Sequence, residues 1–416
     1  VLRKLLIGVA VIVTLVAGVG TARLVLPRTD PTRGVVKQLA FLRAQIEGGA
    51  DVAAQRQFPE GYFFLNVLYG LTWVQVGLDD PARAVDATAE ARWALGRLSS
   101  PAGRAPFTEA MEPDYGVFYA GWTNWLRGGL IALKQSDAAD LDAFTSESVE
   151  IATAFRIART PYLASYPGQA WPVDSVVAIA SLRLYDSLVA PRFGQVARNW
   201  VATAKQHLDP ATGLLPHQVA PQLVGARASS QGIAQRFLVD VDPTFARAQY
   251  DIFRNEFVTR LGVREYPKGS AGNGDVDSGP LVLGMSLSAT VVTLGVARVQ
   301  KDPLADRLDR EGELVGLPWT GLTTKRYLFG AMPIGDAFLA WSKTARPLVA
   351  GEQATRDGTW WWRVPWLVLL WLPALVLWGS WRYGRRGRRR RRRIATPSQS
   401  GLSPSSPRAA GPGAGL

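Results

Sequence analysis

Acidic side chains set among glycines and aromatics are the chain's main candidates for chemistry. The segment REYPKGSAGNGDVDSGP, residues 264–280, carries Asp275 and Asp277 one residue apart. Glycines at 269, 272, 274 and 279 permit a tight loop with close backbone approach. Two carboxylates this near raise each other's pKa, so one can keep its proton and act as a general acid. Asp174, in Trp171-Pro172-Val173-Asp174, is the second candidate acid. Paired carboxyls across a substrate are the apparatus of glycoside hydrolysis, at roughly 5–5.5 Å for retention and 6.5–9.5 Å for inversion. His217, in Leu215-Pro216-His217-Gln218, is a further acid or base candidate, whereas His207 falls on a charged helical stretch and is set aside. A calcium loop is the competing reading of the glycine-rich segment, but it lacks the spaced ligands and terminal glutamate of an EF-hand.

Residues of other types complete the candidate pocket. Tyr115, Tyr119, Trp122, Tyr166, Trp171 and Tyr266 offer stacking and hydrogen bonds. Asp114, Arg227, Ser230, Gln231, Ser278 and Asp336 offer polar contacts. Aromatics with a few carboxylates and an arginine suit a neutral, hydroxylated or isoprenoid ligand. The chain has no cysteine and two histidines, which excludes thiolate sites, cysteine nucleophiles and multi-histidine metal centres. Ser229 and Ser230 lack the G-x-S-x-G context of a serine hydrolase. There is no P-loop, dinucleotide fingerprint or H-E-x-x-H. No metal and no cofactor is expected.

The elements that must position these residues read as all-α from about residue 32 to 348, with about twelve helices. One kind is amphipathic and charged: 35–46, 81–98, 139–159, 193–208, 243–261 and 303–314. The other is nearly uncharged: 59–76, 115–134, 172–188, 229–238, 278–299 and 333–341. A helix apolar on all sides is buried on all sides. Six outer helices around six buried ones make an (α/α)6 toroid, and the buried helices start about every 50–58 residues, a period suited to a helix-pair repeat. An irregular helical solenoid is the alternative. Inner helices of a toroid run parallel, so the polar motifs at their starts, Glu60, Asp114, Asp174, Arg227–Gln231, Asp275–Ser278 and Asp336, should meet at one end. The same residue types are ordinary helix caps, which is the non-catalytic reading.

This pattern resembles the six-hairpin toroids of glycoside hydrolases, polysaccharide lyases and sugar epimerases. Within them, YPGQAWPVDSVVAIASL and GNGDVDSGPLVLGMSLSAT look like linalool dehydratase/isomerase-type domains and their membrane-anchored relatives, over most of residues 58–343. That resemblance implies the toroid, and a pocket with an aspartate, tyrosines and cysteines. The last are missing here, so the resemblance carries the fold and not that dehydration chemistry.

The ends read differently. Leu5–Ala22 and Val364–Trp381 are 18-residue stretches without a charge. Each is long enough to span a bilayer, and tryptophans flank the second. Arg3 and Lys4 precede the first, and nine arginines between Arg382 and Arg393 follow the second. Both termini are therefore expected in the cytoplasm, with the first span retained rather than cleaved. Fourteen basic residues at and beside the two spans and in the tail, thirteen arginines and Lys4, account for the net charge of +13; setting them aside leaves 33 basic and 34 acidic residues, so no nucleic-acid partner is expected. The expected organisation is 1–26 first span, 27–350 extracytoplasmic toroid, 351–383 linker and second span, and 384–416 a basic disordered tail.

Three functions follow. The first is an envelope enzyme using acid/base chemistry on a carbohydrate or polyhydroxylated substrate: a hydrolase, lyase or epimerase. The second is a lyase or isomerase acting on an isoprenoid or lipid-linked alcohol. The third is a non-catalytic binding or scaffold domain. The expected partners are the bilayer and a small-molecule or glycan substrate.

Overall fold

The computed structural model describes residues 2–26, 31–349 and 355–394, which form two compact units. It is 65% helix and 4% strand, as an all-α chain should be. In chain order the helices are α1 (Leu2–Val25), α2 (Pro31–Glu47), α3 (Ala50–Gln57), α4 (Gly61–Asp79), α5 (Ala84–Leu98) and α6 (Pro101–Arg104). Then come α7 (Gly116–Ala132), α8 (Ala138–Ile157), α9 (Pro172–Leu188), α10 (Gly194–Ala204) and α11 (Ala228–Val241). The last are α12 (Pro243–Phe257), α13 (Leu287–Val299), α14 (Leu304–Val315), α15 (Pro333–Lys343) and α16 (Arg363–Ile394). A two-stranded hairpin, β1 (Trp319–Thr320) and β2 (Lys325–Arg326), links α14 to α15.

The first unit joins the two ends of the chain, Val1–Ala22 and Arg363–Leu416. Two stretches, Lys4–Val25 and Arg363–Arg382, are long and apolar enough to cross a membrane. Small residues let helices approach closely in lipid, and Ala10, Ala17 and Ala374 are buried here. Beside them, the Trp371 and Trp378 indoles donate to the hydroxyls of Thr21 and Thr14, at 2.9 and 3.0 Å. Pro373 lies inside α16. The helix continues to Ile394, so residues 384–394 are helical where disorder was expected; arginine is a good helix former, and no proline interrupts the run. Residues 395–416, expected to be disordered, lie outside the described ones.

The second unit spans Arg23–Trp362. Two kinds of helix alternate in it, for the reason read from the sequence: charge keeps one kind at the surface. Helix α4 packs on α7, α7 on α9, α9 on α11, α11 on α13, α13 on α15, and α15 on α4 again. Outside them, α5 lies on α4 and α7, α8 on α7 and α9, α10 on α9, α12 on α11, α14 on α13, and α2 on α15 and α4. The six inner helices are buried almost throughout, and their aromatics Phe63, Trp122, Phe237 and Trp341 lie in the core. Glycine allows the closest approaches: a Cβ on Gly121 would lie 2.9 Å from the Ala178 backbone nitrogen, and one on Gly232 2.4 Å from Val292.

Local signals set the boundaries. Asp137 and Asp140 form a capping box on α8, and Asp242 caps α12 with Pro243 at its first position. One expectation fails. The fifth inner helix starts at Leu287, capped by Ser286, and not at Ser278. Residues 278–286 instead form turns, with Gly279 and Gly284 at positive φ and a bridge between Val282 and Met285. The short helices α3 and α6 and the hairpin had no counterpart in the sequence reading.

The glycine contacts give a test. Gly121→Ala overpacks the α7–α9 contact and should cost about 1–3 kcal/mol. Gly96→Ala, on exposed α5 where nothing lies within 4 Å, should instead stabilise by up to ~1 kcal/mol. Denaturant midpoints of the two variants should therefore move in opposite directions.

Candidate functional site

The site is built at the N-terminal ends of α4, α9 and α11 and on the loop leading into α13. Pro172 occupies the first turn of α9 and sets its start, which places Asp174 in the same turn. The Asp174 carboxyl is buried and accepts a hydrogen bond from Ser165 Oγ at 2.5 Å. Burial pushes its pKa to about 8, against relief from Ser165, and the charges of Glu60 and Asp277 push the same way. At neutral pH Asp174 is therefore a carboxylic acid, with a proton to give.

A turn before α9, bridged between Tyr166 and Gln169, aims Tyr166 at α4. Its hydroxyl donates to Glu60, at the start of α4. The ring stacks on Phe107 at 5.7 Å and meets Trp171 edge-on at 5.7 Å. Burial, then the charges of Glu60, Asp174 and Asp277, hold this phenol neutral.

Arg227, preceding α11, organises the other side. Its Nε donates to Glu265 at 2.9 Å, and its terminal nitrogens grip both oxygens of Asp275. Asp275 in turn accepts from the backbone N–H groups of Asp277 and Ser278, both at 3.1 Å, and so shapes the loop. Burial alone would raise the Asp275 pKa, but Arg227 and Ser278 hold it well below the ordinary value. Asp275 is thus a fixed anion and not the proton donor its spacing allowed. Asp277 behaves oppositely: burial, then the Asp275 charge, lifts it to about 6. Its side chain is nevertheless 52% exposed, so it is open to a ligand.

His217 faces Asp277, Nε2 to Oδ2, at 3.8 Å. Its Nδ1 lies 3.0 Å from Ser230 Oγ, which itself donates to the Arg227 carbonyl. With that proton committed, Nδ1 must be the donor, and Nε2 presents its lone pair toward Asp277. Burial, with Arg227 nearby, lowers the imidazole to about 4, so it is neutral. The gap exceeds a direct hydrogen bond and sets two acceptors face to face, an arrangement that a water donating to both would satisfy. Gln231 holds the loop by donating to the Leu215 carbonyl at 2.6 Å, and Tyr266 lies under the Arg227 guanidinium. Ser278 Oγ accepts from the Asp275 N–H at 2.9 Å.

The remaining candidates stand elsewhere. Asp114 is exposed, and its N–H donates to Glu150 on outer helix α8. Tyr115 and Tyr119 pack on each other, 5.1 Å apart, beside Arg104 and behind Phe107. Trp122 is a core residue between Phe64, Phe237 and Trp341. Asp336 is buried against Gln38 Nε2 and the Tyr327 N–H. Four of the six helix-start motifs thus join, and those of α7 and α15 do not. Ser165 and Glu265 belong to the site without a signal in the sequence, and Glu60 was marked only as a helix-start residue, at the N-cap of α4. An open groove of about 420 Å³ between α9 and α10, lined by Arg183, Asp186, Arg192 and Arg198, holds none of these groups.

Asp174 leaves a thermodynamic signature. Its ordinary pKa is 3.8 and its folded pKa about 8, so the folded state binds the extra proton between those values. Its contribution to stability is complete below about pH 4 and is lost as pH rises through about 8. Asp174→Asn should flatten that loss: the midpoint of the variant relative to the parent should rise steadily between pH 4 and 8. A difference independent of pH would mean that Asp174 is ionised. The chain matches no family model and no curated protein sequence.

Proposed function

We propose that the chain is a membrane-anchored extracytoplasmic enzyme on an (α/α)6 toroid, performing acid/base chemistry on a carbohydrate or similar polyhydroxylated substrate. The return of α15 onto α4 supports the toroid. The observation that carries the function is the buried Asp174 carboxyl, held by Ser165 and raised in pKa partly by the charge of Asp277, together with the half-exposed Asp277 facing His217 Nε2 at 3.8 Å. One acid and one base with separated pKa values are what such a reaction needs at neutral pH. Asp174 delivers a proton to a leaving or departing oxygen. Asp277 takes one from a water or hydroxyl held between it and His217 Nε2. Tyr166 and Trp171 supply the wall, with the phenol proton engaged on Glu60. These steps balance for hydrolysis; in elimination or epimerisation Asp277 would instead take its proton from a substrate carbon.

A second reading, a lipid-linked or isoprenoid alcohol, draws on one observation. The loops carrying His217 and Asp277 also expose Leu223, Val276, Val282 and Leu283. Thermal shifts with neutral oligosaccharides and with isoprenoid alcohols separate the two, since a ligand raises the midpoint only when it binds the folded state.

Asp174→Asn and Asp277→Asn should each cut turnover about 10²–10⁴-fold on the substrate class so identified, with helicity unchanged. The pH profile of the parent should be bell-shaped, with limbs near pH 6 and 8 belonging to the coupled pair. Full turnover in both variants would remove the assignment.

The orientation rests on the basic flanks of the two apolar helices. A reporter active only in the cytoplasm should work when fused after Ile394 and fail after Gly351, and one active only outside should do the reverse. Cytoplasmic activity of the Gly351 fusion would exclude an envelope substrate.

A further inference from the structure

The segment from the end of α14 to the start of α15 exposes a run of large apolar side chains. Val315, Leu317, Trp319, Leu322, Phe329 and Met332 are each about half exposed or more, and Leu322 at the hairpin tip is 96% exposed. They form one surface, because Trp319 pairs with Arg326 across the hairpin and the Leu328 N–H donates to the Gly316 carbonyl at 2.9 Å. Leu317, Leu328 and Phe329 hold left-handed backbone although none is glycine. A water-facing surface gains nothing from such a patch.

Its neighbour identifies the occupant. The first apolar helix ends at Val25, and its last residues are bound to α14. Arg310 donates to the carbonyls of Leu24 and Leu26, at 3.1 and 2.9 Å, and Arg23 donates to the Glu313 carbonyl at 3.1 Å. Glu313 also accepts from Lys325 and Tyr327 of the hairpin segment. Residues 23–26, where the apolar helix ends, are thus held by α14, the helix whose last residue, Val315, opens the apolar run. Lys37 reaches the carbonyl of Gly321, beside Leu322, at 2.9 Å, which sets a cation where a lipid phosphate would lie. An indole, aliphatic side chains and a lysine together match the interfacial layer of a bilayer.

We infer that the β1–β2 hairpin and the 328–332 turn dip into the lipid interface, docking the helical unit on the membrane. This rests on the reading of α1 as membrane-spanning and is independent of the proposed chemistry.

The chain has no cysteine, so each single-cysteine variant carries one label. Leu322→Cys, Val85→Cys on α5 and Leu15→Cys on α1 would be spin-labelled in the full chain, reconstituted in vesicles of phosphatidylcholine and phosphatidylglycerol. Collision with oxygen reports lipid, and collision with a nickel chelate reports water. The Leu15 and Leu322 labels should favour oxygen over nickel several-fold relative to Val85. If Leu15 favours oxygen and Leu322 behaves as Val85, docking is overturned and the span stands. If Leu15 itself meets nickel, the span fails and docking with it. A Leu322 label hidden from both reagents means that protein covers the hairpin, which also overturns the inference.

Discussion

The candidate site depends on the Arg227 guanidinium. It is buried, so its charge must be matched, and Glu265 and Asp275 match it from opposite edges. Holding Asp275 fixes the loop that carries Asp277, because the same carboxylate caps the backbone of residues 277 and 278. The Arg227 carbonyl takes the Ser230 proton, and through Ser230 orients His217. Its positive charge also helps keep that imidazole neutral. The guanidinium thus sets a loop and the charge state of two neighbours, and the backbone carbonyl of the same residue sets a tautomer. A lysine could not do the same, since a point charge has no fork to grip two carboxylates at once.

Asp174 has the opposite setting. A carboxylate in the first turn of a helix should be stabilised by the dipole, and so be more acidic than usual. That effect is worth about 0.3–1 kcal/mol at exposed sites and up to about 2 when partly buried. The rise from 3.8 to about 8 corresponds to a preference for the neutral form on the order of 5 kcal/mol. Desolvation therefore wins over the dipole. Among the described residues one hydrogen bond, from Ser165, supports the anion, and Glu60 and Asp277 add negative charge around it. The contrast with Asp275, equally acidic by residue type and gripped by an arginine, shows that partners decide which carboxyl keeps a proton.

The same contrast explains what was legible in the sequence. Inner helices could be read because they carry almost no charge, and α9 matched over residues 172–188 because Pro172 opens it and Pro191 follows its end. The loop from 258 to 286 could not, since its shape comes from distant partners: the Ala228 N–H on the Glu265 carbonyl, and Arg227 on Asp275. The pattern of apolar residues carried no information about either. Helix-start grammar likewise located Asp174 and Asp336 in the first turns of their helices and Asp114 just before α7. It could not say that Asp114 would face α8, or that Asp336 would be taken up by Gln38 and the Tyr327 backbone. Position along a helix is local and readable, whereas the neighbour that meets a side chain is a property of the closed packing.

The polarity of the site narrows what it can hold. Its floor contains the buried Asp174 and the half-buried Tyr166, both neutral at pH 7, with a neutral imidazole in the same site. The fixed charges, Arg227 and Asp275, are spent on each other. Such a floor offers hydrogen bonds and a transferable proton but no unmatched cation for a phosphate or carboxylate. An anionic ligand would have to face Asp277 and Glu60 without compensation, a desolvation and repulsion cost of several kcal/mol. Neutral hydroxyl groups carry no such cost, and they are the one chemistry common to a sugar and to a lipid-linked alcohol. On the proposed reading, the discrimination between those two would rest on the loops that carry His217 and Asp277, where Leu223, Val282 and Leu283 stand exposed.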